Sequence, residues 1–170
     1  MSATFPDTVD AWRMVQARRH FEGSIPLAAM PRLRGSLVAA DGAADFEIEF
    51  GRDDFGVARL QAHIEAGLPL TCQRTLETFV LPVRIDARLG LITREEDEAG
   101  LPAGYEPLLT SDGSVRLADV IEDELILALP VVPVKPGSES VMHFEGAKAE
   151  TGSAGSRPFE VLKKLKAAKK

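Results

Sequence analysis

The chain has 170 residues, 18.4 kDa, with 45% hydrophobic and 27% charged residues and a formal charge of −6. That is one domain's worth of ordinary globular composition, which excludes global disorder and collagen-like repeats. The longest apolar stretch, residues 125–134, is broken by Pro130 and Pro133 and falls far short of the ~20 residues a membrane helix needs. Charges through the first thirty residues (Asp7, Asp10, Arg13, Arg18, Arg19, Glu22) leave no leader-like apolar core, so a cytoplasmic protein with no membrane partner is expected.

Residues 1–34 read as an irregular helical arm. Val9, Trp12, Met14 and Val15 recur at roughly helical spacing, with Asp10 at the start and Arg18-Arg19 at the end to suit the helix dipole. Gly23 and Pro26 break it, and a second short turn is expected over 26–33, with Ser24 as its cap and Pro31 limiting it. From Gly35 the period changes to two. Phe46, Ile48 and Phe50 alternate with acids, and Ala58, Leu60, Ala62 and Ile64 alternate with Arg59, Gln61, His63 and Glu65. Strands are expected over 37–40, 45–50 and 57–65, joined by turns at Asp41-Gly42 and 51–56, and connections this short make antiparallel neighbours. Another strand pair is expected next, with Leu68, Leu70 and Cys72 on one side of a turn at 73–76. Beyond it Phe79, Leu81, Val83, Ile85, Ala87 and Leu89 share one face of a long strand whose Pro82 demands an edge or a bulge.

Residues 93–105 show no periodicity and read as a solvated acidic loop. After a turn at Asp112-Gly113 the period becomes 3.6. Leu117, Val120, Ile121, Leu125 and Ala128 form one stripe of a helix over about 117–129, with Leu129 completing the expected core and Ile126 and Leu127 adding apolar surface to a buried second half. Pro130 stops it. The Gly/Ser/Ala-rich stretch 135–156 reads as a flexible linker, and 157–170 as a basic amphipathic helix opened by Pro158, with Phe159, Leu162 and Leu165 on one side. The organisation expected is a single α+β domain over 1–134, the linker, and the basic helix. Its sheet is antiparallel, of about five or six strands between Gly35 and Leu91, packed by the 117–129 helix.

Three stretches, Val120-Ile-Glu-Asp-Glu-Leu-Ile-Leu-Ala-Leu-Pro-Val-Val-Pro-Val134, Gly-Tyr-Glu-Pro-Leu at 104–108 and Pro-Phe-Glu-Val-Leu-Lys-Lys-Leu-Lys at 158–166, resemble the YceD family, the large ribosomal RNA subunit accumulation proteins of bacteria. The resemblance implies a non-enzymatic factor needed for accumulation of large-subunit (23S) ribosomal RNA. It also implies a Cys-x-x-Cys knuckle in many members, where this chain has Thr75 in place of the second cysteine. A lone thiolate leaves three positions of a tetrahedral zinc site unfilled, so Cys72 is expected to be a small buried hydrophobe and no metal or other cofactor is expected.

Charge is uneven along the chain. Residues 93–129 hold ten acidic against two basic residues, whereas 157–170 hold six basic against one acidic. Arg157, Lys163, Lys164, Lys166, Lys169 and Lys170 are therefore the candidates for contact with RNA phosphates, with a solubilising terminus as the plain alternative. Glu95, Glu96, Asp97, Glu98, Asp119, Glu122 and Asp123 are candidates for a surface facing a basic protein, with a merely solvated face as the alternative. With the pathway that the resemblance implies, the expected partners are large-subunit ribosomal RNA or its precursor particle, a basic ribosomal protein, or both, with no DNA. An acidic adaptor that never touches RNA is the competing reading. No Gly-x-Ser-x-Gly elbow, Gly-rich phosphate loop, His-Glu-x-x-His or Ser-x-x-Lys is present, so no catalytic residues are assigned.

Overall fold

The computed structural model describes residues 6–138 except Ser111. The expected basic helix at 157–170, and all but the first four residues of the expected linker, lie outside the described residues. The elements in order are β1 (Thr8–Asp10), α1 (Ala11–Gln16), β2 (His20–Pro26), a 3-10 turn at Leu27–Ala29, α2 (Pro31–Arg34), β3 (Ala43–Arg52), β4 (Ala58–Thr71) and β5 (Thr78–Ile92). A second 3-10 turn at Glu95–Gly100 precedes β6 (Glu106–Leu109), β7 (Ser114–Arg116) and α3 (Leu117–Leu127).

β2 to β6 form a five-stranded sheet in sequential order, and β1 pairs antiparallel with β7 in a small separate ribbon. The alternation read from the sequence sets the pleat. Ala44, Phe46, Ile48 and Phe50 of β3, the even-numbered residues 58–64, Leu68 and Leu70 of β4, and Phe79, Ala87 and Leu89 of β5 are buried on one face. Covering that face are Ala11 and Val15 of α1, Leu27, Met30 and Leu33 around α2, and Leu117, Val120, Ile121 and Leu125 of α3. Asp10 caps α1 by accepting the Arg13 N–H (2.9 Å).

The sheet departs from the expected one at both edges. On one side the expected helical arm contains a strand: β2 pairs antiparallel with β3, Phe21 opposite Ile48 and Ile25 opposite Ala44. Gly23 and Pro26, which read as breakers, sit inside and at the end of an edge strand, where a missing side chain or N–H costs little. Ser24 is accordingly in that strand and caps no helix, and residues 37–40 form no strand. On the other side β6 lies parallel to β5, Leu89 opposite Glu106, so the sheet is mixed rather than antiparallel. Residues 93–105 supply the dozen or so residues a parallel return requires. β6 reaches only the last part of β5, so Pro82 faces an unpaired edge among the described residues.

α3 ends at Leu127, with Ala128 as its C-cap. The N-terminal stripe is buried as expected, but Leu127 is 73% exposed, so the second half is not buried all round. Ala128 and Leu129 are half-buried. No helix of the described residues is long and apolar enough to cross a membrane.

Candidate functional site

The acids expected to share one partner-facing surface divide among several environments. Glu122, on α3, is buried with a side chain 4% exposed, and its neighbour Asp123 is exposed. Both expected readings, a partner-facing surface and a solvated face, keep these carboxylates at the surface, but Glu122 turns inward onto the N-terminus of α2. Its Oε1 accepts the N–H of Arg32 (2.7 Å) and of Leu33 (3.0 Å), and its Oε2 accepts Arg32 Nε–H (3.0 Å). α2 has no side-chain cap of its own, so a residue ninety positions away satisfies its free amides. Burial alone would push the Glu122 carboxyl up; the two amides and the guanidinium outweigh it and hold the carboxyl below its ordinary range. Arg32 continues to Asp123 through Nη1.

Asp119 pairs with Arg116 (3.2 Å), and Asp97 with Arg94 (3.0 Å). Glu95, Glu96 and Glu98 are exposed on the 3-10 turn. Glu124 is nearly buried in an apolar recess with Leu89, Leu108 and Val120, where desolvation, then the charges of Glu106 and Asp123, push its carboxyl up.

Cys72 is fully buried as expected, yet it acts as more than a small hydrophobe. It closes the β4–β5 turn, and its Sγ accepts the N–H of Thr75 (3.4 Å) and of Lys135 (3.3 Å). Those bonds, the one from Lys135 foremost, pull the thiol down to about 6. The chain after α3 is thereby tied to the turn. Gln73 N–H donates to Pro133 O (2.8 Å), and Lys135 Nζ meets Glu77 (3.0 Å). Among the described residues no group of three or more His, Cys, Asp and Glu is placed to hold a metal ion. The candidate RNA-contacting residues Arg157, Lys163, Lys164, Lys166, Lys169 and Lys170 lie outside the described residues.

The polar face of the sheet, opposite the core, is ruled by register. One cross-strand row runs His20, Glu49, Gln61, Arg88, and the next runs Glu22, Glu47, His63, Asp86. A third runs Ser24, Asp45, Glu65, Arg84. Acids dominate the β2–β3 half, while the β4–β5 half mixes Arg84 and Arg88 with Glu65 and Asp86. His63 bridges Asp86 (2.6 Å) and Glu65 (3.3 Å), and the hydrogen bond to Asp86, then that to Glu65, raises its pKa above the ordinary 6.5.

At the top of this face the row is Gly51, Arg59, Gly90. The glycines matter here because Leu101 folds down onto the sheet: a Cβ on Gly90 would stand 2.5 Å from Leu101 Cδ2. Arg59 therefore lies between two residues without side chains, under the 93–105 segment. Around it open Arg52, Asp53, Asp54, Gln61, Arg88 and Tyr105, lining a cleft of about 270 Å³. The β3–β4 turn forms one wall. Asp53 accepts the N–H of Phe55 (3.0 Å) and of Val57 (2.8 Å), Gly56 takes the positive φ of +83° that the turn requires, and Tyr105 Oη–H donates to Asp53 Oδ2 (2.8 Å). Arg88 and Arg59 were not singled out as binding residues from the sequence, since only strand register brings them together.

With the geometry described, comparison with known proteins adds identity. A family model described as "Large ribosomal RNA subunit accumulation protein YceD" matches residues 60–166, well over half of the chain and including β5, α3 and Cys72. The chain is also similar to the protein of Haemophilus influenzae named Large ribosomal RNA subunit accumulation protein YceD, with 27% identity over 166 residues that cover 95% of each chain. No solved structure matches.

Proposed function

We propose that this chain, which belongs to the YceD family of large ribosomal RNA subunit accumulation proteins, supports accumulation of large-subunit ribosomal RNA in the cytoplasm by binding the RNA or its precursor particle, without catalysing a reaction. The observation that carries this reading is the family match over residues 60–166. The described surface is compatible with contact through local cation clusters rather than through a broad basic face, because the acids of β2, β3 and α3 would repel an extended phosphate backbone.

A second reading, an acidic adaptor for a basic ribosomal protein, keeps one supporting observation: Glu95, Glu96 and Glu98 stand exposed on a turn. Its remaining acids are less available. Asp97, Asp119 and Asp123 each already face an arginine, and Glu122 is buried. Surface ion pairs of this kind leave little net charge for steering a partner.

The test is rescue in cells lacking the native factor, scored as large-subunit RNA relative to small-subunit RNA. The RNA-binding reading expects removal of residues 157–170 to impair rescue, while Glu95, Glu96, Asp97 and Glu98 changed together to Gln or Asn leave it intact. The reverse pattern establishes the adaptor in its place.

A further inference from the structure

Resting on the RNA reading above, we propose that the cleft beneath the β3–β4 turn is a single-stranded RNA contact point, in which Arg59 and Arg88 hold a backbone phosphate and Phe55 stacks on an adjacent base. Three arginines, Arg52, Arg59 and Arg88, converge on one cleft whose lining side chains are all charged or polar. Two of them have unused donors. Arg59 Nε is buried with no hydrogen-bond partner, although Nη1 reaches Gln61. An unmet buried donor is costly, and a planar guanidinium fork matches phosphate oxygens in pairs. The Arg88 guanidinium makes no hydrogen bond or ion pair with any described residue, although the residue stands opposite Gln61 on the neighbouring strand. Arg52 is the structural member of the group, with Nη1 donating to Gly56 O (2.6 Å) and bracing the turn.

The carboxylates of the cleft do not answer these cations fully. Asp53 spends its hydrogen bonds on the amides of Phe55 and Val57 and on the Tyr105 hydroxyl and meets Arg59 only through charge, and Asp54 is exposed on the turn. The lining therefore carries three positive charges against two negative ones. An anion entering the cleft meets guanidiniums at the sheet and a neutral phenol held by Asp53 at the wall.

Phe55 turns this from an anion site into a nucleic-acid site. It is 87% exposed at the tip of the same turn, three residues from Arg52 and next to Asp54. A large ring left in water on a turn that needs no apolar residue is unusual, and a free aromatic face beside arginines is how single-strand binders hold bases without reading sequence. The turn is rigid enough to present it, since Asp53 takes two of its amides.

The experiment measures binding of the full chain to a labelled single-stranded RNA of about twelve nucleotides over a range of salt concentrations. Arg88→Ala should weaken binding about tenfold and flatten the log-log salt slope by about 0.7, one phosphate contact on a single strand. Phe55→Ala should weaken it about 5- to 150-fold while leaving the slope unchanged, as stacking carries no counterions. Both side chains are outside the core, so circular dichroism should show unchanged folding. Arg74→Ala, an exposed arginine on the far β4–β5 turn, should bind like the parent chain. If the parent chain binds RNA and the Arg88 and Phe55 variants bind equally well, the cleft is not the contact and the RNA reading stands. If the parent chain fails to bind RNA even at low salt, the RNA reading falls with it. If poly-glutamate binds the parent chain and not Arg88→Ala, while RNA binding is indifferent to that change, the cleft serves an acidic protein segment instead.

Discussion

Cys72 shows how much one side chain's surroundings add to its type. A lone cysteine on a strand near a turn has the composition of a small hydrophobe, and its burial follows that pattern. Two backbone amides aimed at Sγ are a different matter, because they favour the thiolate and bring the thiol to about 6. The unfolded chain, with a thiol near the ordinary 9, holds more protons between about pH 6 and 9. The contribution of Cys72 to stability therefore grows as pH rises through that window and is lost as pH falls below about 6. Comparing urea midpoints of the parent chain and Cys72→Ser from about pH 5.5 to 8.5 checks this: the gap between them should widen with pH, and a constant gap would contradict the thiolate. None of this was legible in the sequence, because Lys135 approaches Cys72 across sixty-three positions.

At the scale of elements, the α2–α3 contact joins two short helices through Glu122. Changing Glu122 to Ala orphans two amides and the Nε–H of Arg32, whose Nη1 keeps Asp123, and should lower stability by about 3 kcal/mol, whereas Glu122→Gln, which keeps an acceptor for the amides, should cost less. Chemical denaturation of the two variants measures the difference, and equal losses would show that the charge, not the capping, is what matters. Leu125, fully buried on the same helix, should cost ~2–5 kcal/mol on truncation to Ala, read as a lower melting temperature. An unchanged melting temperature would mean that this face of α3 is not core. The strands β3 and β5 and the start of α3 were legible because each repeats its period over several residues, whereas β4 read as two strands, 57–65 and one through Leu68 and Leu70, and is one continuous strand. β2 and β6 were not legible. β2 has only Phe21 and Ile25 as alternating apolar anchors, with Gly23 between them, and β6 is a four-residue, mostly exposed edge strand, too short to show a period.

For the whole molecule, sequence reading located charge by position along the chain, while function depends on charge by position on the surface. Of the densest acidic run, Glu95, Glu96 and Glu98 remained exposed, but Asp119, Glu122 and Asp123 of α3 were drawn into pairs with Arg32 and Arg116. Strand register meanwhile gathered Arg52, Arg59 and Arg88 from three strands into one cleft. In the proposed RNA contact, this acidic chain offers the backbone a local cationic cluster while its remaining surface discourages nonspecific wrapping. The claim that ties these scales together is that the protein works while bound to large-subunit RNA. Sedimentation of a cell extract through a sucrose gradient tests it most directly. The protein should travel with precursors of the large subunit and shift to the top of the gradient after ribonuclease treatment. Sedimentation at the top with free ribosomal proteins, unchanged by ribonuclease, would contradict it.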